Sequence, residues 1–129
     1  MPSYYAHAGA FVHASTTEQW GLVVNEAMAS GLPVLVSNQV GSSPDLVKEG
    51  SNGWTFDPLD IDQLAFLMWK IASDAPLRTV MGAKSREIIA NWSLERFLTG
   101  AENAAETAIR EFKQQGNYFL KLLLLVLSR

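Results

Sequence analysis

Two short apolar runs, Ala10-Phe11-Val12 and Val34-Leu35-Val36, flank a polar loop and an apolar-periodic stretch that ends in Gly31-Leu32-Pro33. No other feature constrains the chain as much. Short apolar runs bounded by turn residues suit strands, and three- and four-residue spacing suits a helix. The order is therefore strand, loop, helix, turn, strand: a βαβ unit with parallel strands. From about Leu22 to Ser30, the residues Val24, Ala27, Met28 and Gly31 share one helix face. Gly31 suits a left-handed cap at the helix end, and Pro33 blocks any continuation. Pro33 to Ser37 is apolar enough to be a central strand covered on both faces.

In open α/β sheets, ligands bind beyond the carboxyl ends of the strands. The loop from Ser15 to Gly21 occupies that place and leads into a helix N-terminus. Such an end offers unpaired N–H groups and partial positive charge, which attract phosphate. Gly21 has no Cβ, so a ligand can approach its backbone closely. Glu18 precedes the helix and Glu26 lies in its second turn. A carboxylate accepts two hydrogen bonds from a vicinal diol, so one acid suits a ribose and the other a sugar. With phosphates held between them, the ligand is a nucleotide sugar. A solvated face with a favourable dipole term explains the same two acids, and both readings stand. Ser15, Thr16 and Thr17 are candidates for capping the helix or touching phosphate. His13, at the carboxyl end of its strand, either approaches the ligand or is a partly buried histidine with a partner.

The rest of the chain continues the α/β pattern. Pro2 to Ala8 reads as a short helix carrying a surface His7. Ser43-Pro44-Asp45 opens another short helix, with Ser43 as its cap, that stops near Gly50. Ser51-Asn52-Gly53 is a turn before a third strand, Trp54-Thr55-Phe56. The next helix carries the stripe Ile61, Leu64, Ala65, Met68, Ile71 and Ala72. Another runs from about Pro76 to Ala90, and a last one starts at Ser93. The stripe of the last helix, from Leu94 and Phe97 to Ile109 and Phe112, reads as core packing.

Composition excludes several classes. The 129 residues carry a net charge of −3, so there is no basic footprint for nucleic acid. There is no Cys and only His7 and His13, so neither a disulfide framework nor metal-ligand spacing is present, and no cofactor is implied. Met1-Pro2-Ser3-Tyr4-Tyr5 lacks the features of a signal peptide, which makes a cytoplasmic location the default. The tail from Tyr118 to Leu127 is apolar on every side except Lys121, about half the ~20 residues of a membrane span. Packing on a partner, contact with the inner membrane surface and a non-native end all stay open for it.

Glu18, seven residues, then Glu26, followed by Ala27-Met28-Ala29-Ser30-Gly31-Leu32-Pro33-Val34, resembles the signature of the retaining GT-B glycosyltransferases of family 4. The likeness continues through Gly41-Ser42-Ser43-Pro44-Asp45-Leu46-Val47 and Asn52-Gly53-Trp54-Thr55-Phe56, and covers roughly Pro2 to Gln115. It departs from the family at Gly41-Ser42, often Gly-Gly there, and at Gln19, often Gly. The resemblance implies sugar transfer from a nucleoside-diphosphate sugar to an acceptor of unspecified kind. It implies that Glu26 holds the ribose, that Glu18 contacts the donor sugar, and that the backbone of Gly21, Leu22 and Val23 meets the diphosphate. It also implies a partial Rossmann-like parallel sheet, the C-terminal half of a donor-binding domain over residues 1–115, with a helical C-terminus and the apolar tail over 116–129. The acceptor domain and the earlier strands of the donor domain are then missing partners of the same enzyme. The isolated chain is expected to be inactive and to bind a nucleotide sugar weakly if at all. A non-catalytic module that binds nucleotide diphosphates or proteins is the alternative.

Overall fold

The computed structural model describes residues 2–127, and the side-chain surroundings of residues 3–112. Its contacts separate into two units between Asn91 and Trp92. The first unit holds α1 (Pro2–Ala6), β1 (Phe11–His13), α2 (Leu22–Ala29), β2 (Val34–Ser37), α3 (Ser43–Leu46), β3 (Gly53–Phe56), α4 (Ile61–Ser73) and α5 (Ala75–Ile89). Its sheet is parallel, in the order β1-β2-β3, with Phe11 opposite Val34 and Val34 opposite Gly53. This is the expected βαβ arrangement, and β1 lies at an edge.

All four residues of β2 are buried because the strand is covered on both faces. Val34 and Val36 join Val24, Ala27 and Met28 of α2 in one apolar cluster. Leu35, pointing the other way, joins Phe56, Leu67 and Ile71 in a second. The period of two along the strand thus divides the core between α2 and α4. At α4 the expected stripe is rotated. Leu67 and Ile71 are the buried residues, Leu64 is partly buried, and Ile61 and Met68 are exposed. Only the narrow face above Leu35 and Phe56 has sheet to cover it among the described strands. Phe66 and Trp69 are exposed as well.

Helix ends follow local chemistry. Asp60 and Asp74 cap α4 and α5, accepting from the N–H of Gln63 and Leu77 at 2.8 Å. The expected cap at Ser43 is corrected: Ser43 is the first residue of α3, and Ser42 precedes it without a side-chain capping bond. At the end of α2, Gly31 has φ 81°. There the N–H groups of Gly31 and Leu32 donate to the carbonyls of Met28 and Ala27. The Arg86 guanidinium donates to the Ser30 carbonyl at 2.8 Å and fills the space where a Gly31 side chain would stand. Gly31→Ala is expected to lower unfolding free energy by about 1–2 kcal/mol, from the left-handed backbone alone. Urea denaturation checks this. An unchanged midpoint would show that the turn relaxes without strain.

The second unit contains α6 (Leu94–Leu127), started by the Ser93 hydroxyl, which accepts from the Arg96 N–H at 3.3 Å. The stripe expected to be core is not packed: Leu94, Phe97, Leu98, Ile109 and Phe112 are exposed. A single helix has nothing within its own unit against which to bury them. The helix runs through residue 115, and the side chains of the apolar tail lie outside the described residues. Among the described residues, no helix is long and apolar enough to cross a membrane.

Candidate donor-binding site

Two loops leave the carboxyl ends of β1 and β2, and the structure joins them. Glu18 and Val40 form an isolated parallel bridge. The Gly41 N–H donates to the Glu18 carbonyl at 2.9 Å. Gly41 lies so close to the Gln19 carbonyl that a Cβ there would overlap the oxygen. The first loop is drawn together internally, with the Ser15 hydroxyl donating to the Thr17 carbonyl at 3.0 Å. Neither Ser15 nor its neighbours cap α2, since no side chain does. The expectation that one of them caps this helix is therefore corrected.

The residue before α2 is Gly21, with φ 83° and ψ 64°. This left-handed turn needs glycine for backbone reasons as well as for space. A Cβ there would lie 3.1 Å from Val40, 3.3 Å from the Glu18 side chain and 3.6 Å from His13 Nε2. Gly21 thus marks the point where both loops, Glu18 and His13 converge. Just beyond it, the first turn of α2 presents its Leu22 and Val23 N–H groups without a side-chain cap. Trp20 fixes this entry, since its ring N–H donates to Asn25 Oδ1 at 3.1 Å. Glu26 follows one turn later, about 6 Å along the axis from Leu22, and is exposed.

The carboxylate of Glu26 accepts a hydrogen bond from the Tyr5 hydroxyl at 3.0 Å. Desolvation and then this bond and the negative charge of Glu26 push the Tyr5 hydroxyl above the ordinary tyrosine range. Nothing local in the sequence signals this pair, because its members lie 21 residues apart. His13 Nε2 is buried without a hydrogen-bond partner among the described residues, as are the hydroxyls of Ser42 and Ser85. His13 is partly buried, but the internal partner that a core histidine would have is not there. Among the described residues, no group of three or more His, Cys, Asp or Glu is placed to hold a metal ion. A separate cavity of about 380 Å³ lies on the α4 face, lined by Gly9, Ala10, Val12, Leu35, Met68, Ile71, Ala72 and Arg78. It contains none of the candidate residues.

Residues 1–88 match the family model of glycosyl transferases group 1. The chain belongs to that family. It is 38% identical over 86 residues to sulfoquinovosyl transferase SQD2 of Arabidopsis thaliana, covering 64% of this chain and 17% of that protein. It is 35% identical over 104 residues to O-antigen chain mannosyltransferase B of Escherichia coli, covering 81% of this chain and 26% of that protein. Among solved structures, it resembles the C-terminal domain of a glycosyl transferase group 1 family protein of Francisella tularensis. There the TM-score is 0.64 and identity 29%, over 70% of this chain and 46% of that one. The fold is thus part of a GT-B glycosyltransferase. The chain of this glycosyl transferases group 1 member spans about a quarter or less of the length of these two curated relatives.

Proposed function

We propose that this chain is the donor-binding part of a retaining family 4 glycosyltransferase that moves a sugar from a nucleoside diphosphate to an acceptor hydroxyl. The observation that carries the reading is the junction of the two strand-end loops. It sets Glu18, Gly21 and the uncapped start of α2 side by side, with Glu26 one turn behind. Glu26 holds the ribose and Glu18 contacts hydroxyls of the sugar. The N–H groups at Gly21, Leu22 and Val23 face the diphosphate, and Ser15 borders it. In the reaction, the bond from the anomeric carbon to the diphosphate oxygen breaks and a bond to the acceptor oxygen forms. The proton of the acceptor hydroxyl passes to the departing diphosphate oxygen, so the products are the glycosylated acceptor and the nucleoside diphosphate. The negative charge left on the diphosphate is stabilised by fixed N–H dipoles, which need no reorganisation as the charge develops.

The chain spans 17% and 26% of the length of two relatives, so the 129 residues alone are expected to bind nucleotide weakly and not to transfer sugar. Titration of the chain with UDP and GDP, followed by NMR, tests this. Saturable binding of at least one is expected, weakened ten- to hundredfold by Glu26→Ala, the loss of about 1.5–3 kcal/mol typical of a hydrogen bond to a charged group. Absence of binding up to millimolar nucleotide would refute the donor-site reading. Sugar transfer by the chain alone would refute the division of labour.

A further inference from the structure

We infer that Tyr5 is a positioning residue for nucleotide recognition, holding the Glu26 carboxylate in the orientation that accepts a ribose diol. This deepens the donor-site reading and rests on it. Glu26 is exposed on α2, where an unrestrained glutamate samples many rotamers. The Tyr5 hydroxyl, arriving from α1, donates to Oε2 at 3.0 Å. Tyr5 itself is held. Its ring is partly buried and meets Phe11 edge-on, with centroids 6.1 Å apart and planes at 67°. Phe11 stacks in turn on His13 at 6.1 Å and 25°. Phe11 also packs against the apolar cluster of α2 and β2.

The hydroxyl is thus placed by ring contacts that lead back to the apolar cluster, and it engages one carboxylate oxygen. A carboxylate has about four lone-pair sites. Tyr5 takes one of them, leaving Oε1 and a lone pair of Oε2 for two donor hydroxyls. Holding an acceptor in its bound orientation before the ligand arrives reduces the entropy lost on binding.

The test compares UDP or GDP, whichever binds the 129-residue chain more tightly, with its 2′,3′-dideoxy counterpart. Tyr5→Phe keeps the ring that packs on Phe11 and removes only the hydroxyl. It is expected to weaken binding of the ribonucleotide about three- to tenfold. Binding of the dideoxy ligand should stay unchanged within about twofold, the scatter of non-interacting substitutions. In a Glu26→Gln background, Tyr5→Phe should cause little additional loss. Thermal melting of each variant separates lost folding from lost recognition. Equal loss for both ligands, or unchanged ribonucleotide binding by Tyr5→Phe while Glu26→Ala still weakens it, would overturn the role of Tyr5 and leave the donor site standing. If the unaltered chain bound neither nucleotide, the donor-site reading would fail and take this inference with it.

Discussion

Gly41→Ala is expected to lower unfolding free energy by about 2–4 kcal/mol and to weaken nucleotide binding at least about tenfold. The substitution adds one methyl group to an exposed loop, a place where most changes cost less than about 0.5 kcal/mol. Here the methyl would overlap the Gln19 carbonyl oxygen, a backbone atom that no rotamer change can move away. The two loops must separate. The hydrogen bond from the Gly41 N–H to the Glu18 carbonyl, 2.9 Å, is then lost, as is the bridge between Glu18 and Val40. Those contacts hold Glu18 beside Gly21, so stability and binding fall together. Gln19→Ala is the control. The contact is with the Gln19 main chain, and its side chain is exposed, so that variant should behave as wild type. Chemical denaturation and nucleotide titration of both variants supply the measurement. A Gly41→Ala chain that kept full nucleotide affinity would show that the joined loops are not part of the site.

The sequence showed much of this architecture and little of the joinery at the site. The three strands, α2 and its buried face at Val24, Ala27 and Met28 follow from period and punctuation, because each depends on neighbours within a few residues. Gly31 and Pro33 marked the end of α2 for the same local reason. The face of α4 was not legible. Ile61, Met68 and Leu67 are all apolar, and only the position of Leu35 and Phe56 decides that Leu67 is buried. The pairing of Tyr5 with Glu26, and of Gly41 with Glu18 and Gln19, joins residues more than 20 positions apart. Hydrophobic patterning carries no information about such polar contacts. The two glutamates could be named because their spacing resembles a family signature. The ring contacts behind Glu26 and the uncapped, left-handed start of α2 emerged only once the strands were set in register.

Asn52→Leu is expected to be more destabilising still, by about 3–5 kcal/mol, although it makes the core more apolar. The Ser51-Asn52-Gly53 segment reads as an ordinary turn, yet the Asn52 side chain is fully buried. Its Nδ2 donates to the Leu46 carbonyl at 3.0 Å, and its Oδ1 accepts from the Lys48 N–H at 2.8 Å. Its own carbonyl accepts from the Val34 N–H at 3.0 Å, tying the turn to β2. Leucine has the same branched outline but is larger and carries no polar atom, so it would crowd the site and strand the Leu46 carbonyl and the Lys48 N–H, each at a cost of about 1–3 kcal/mol when buried. Asn52→Asp separates the two bonds. Its carboxylate still accepts from Lys48, but faces the Leu46 carbonyl with an oxygen where a donor had been, and buries a charge. Both effects raise the carboxyl pKa in the folded state above that in the unfolded state. Stability of this variant should therefore fall as pH rises through the folded-state value and recover on acidification, when the protonated carboxyl donates to Leu46 again. Urea denaturation near pH 7 and near pH 5 distinguishes the cases, with wild type measured alongside for background titration. A deficit of Asn52→Asp relative to wild type that did not shrink at the lower pH would mean that the Leu46 carbonyl finds another donor. The turn would then hold α3, and the loop above it, by packing alone.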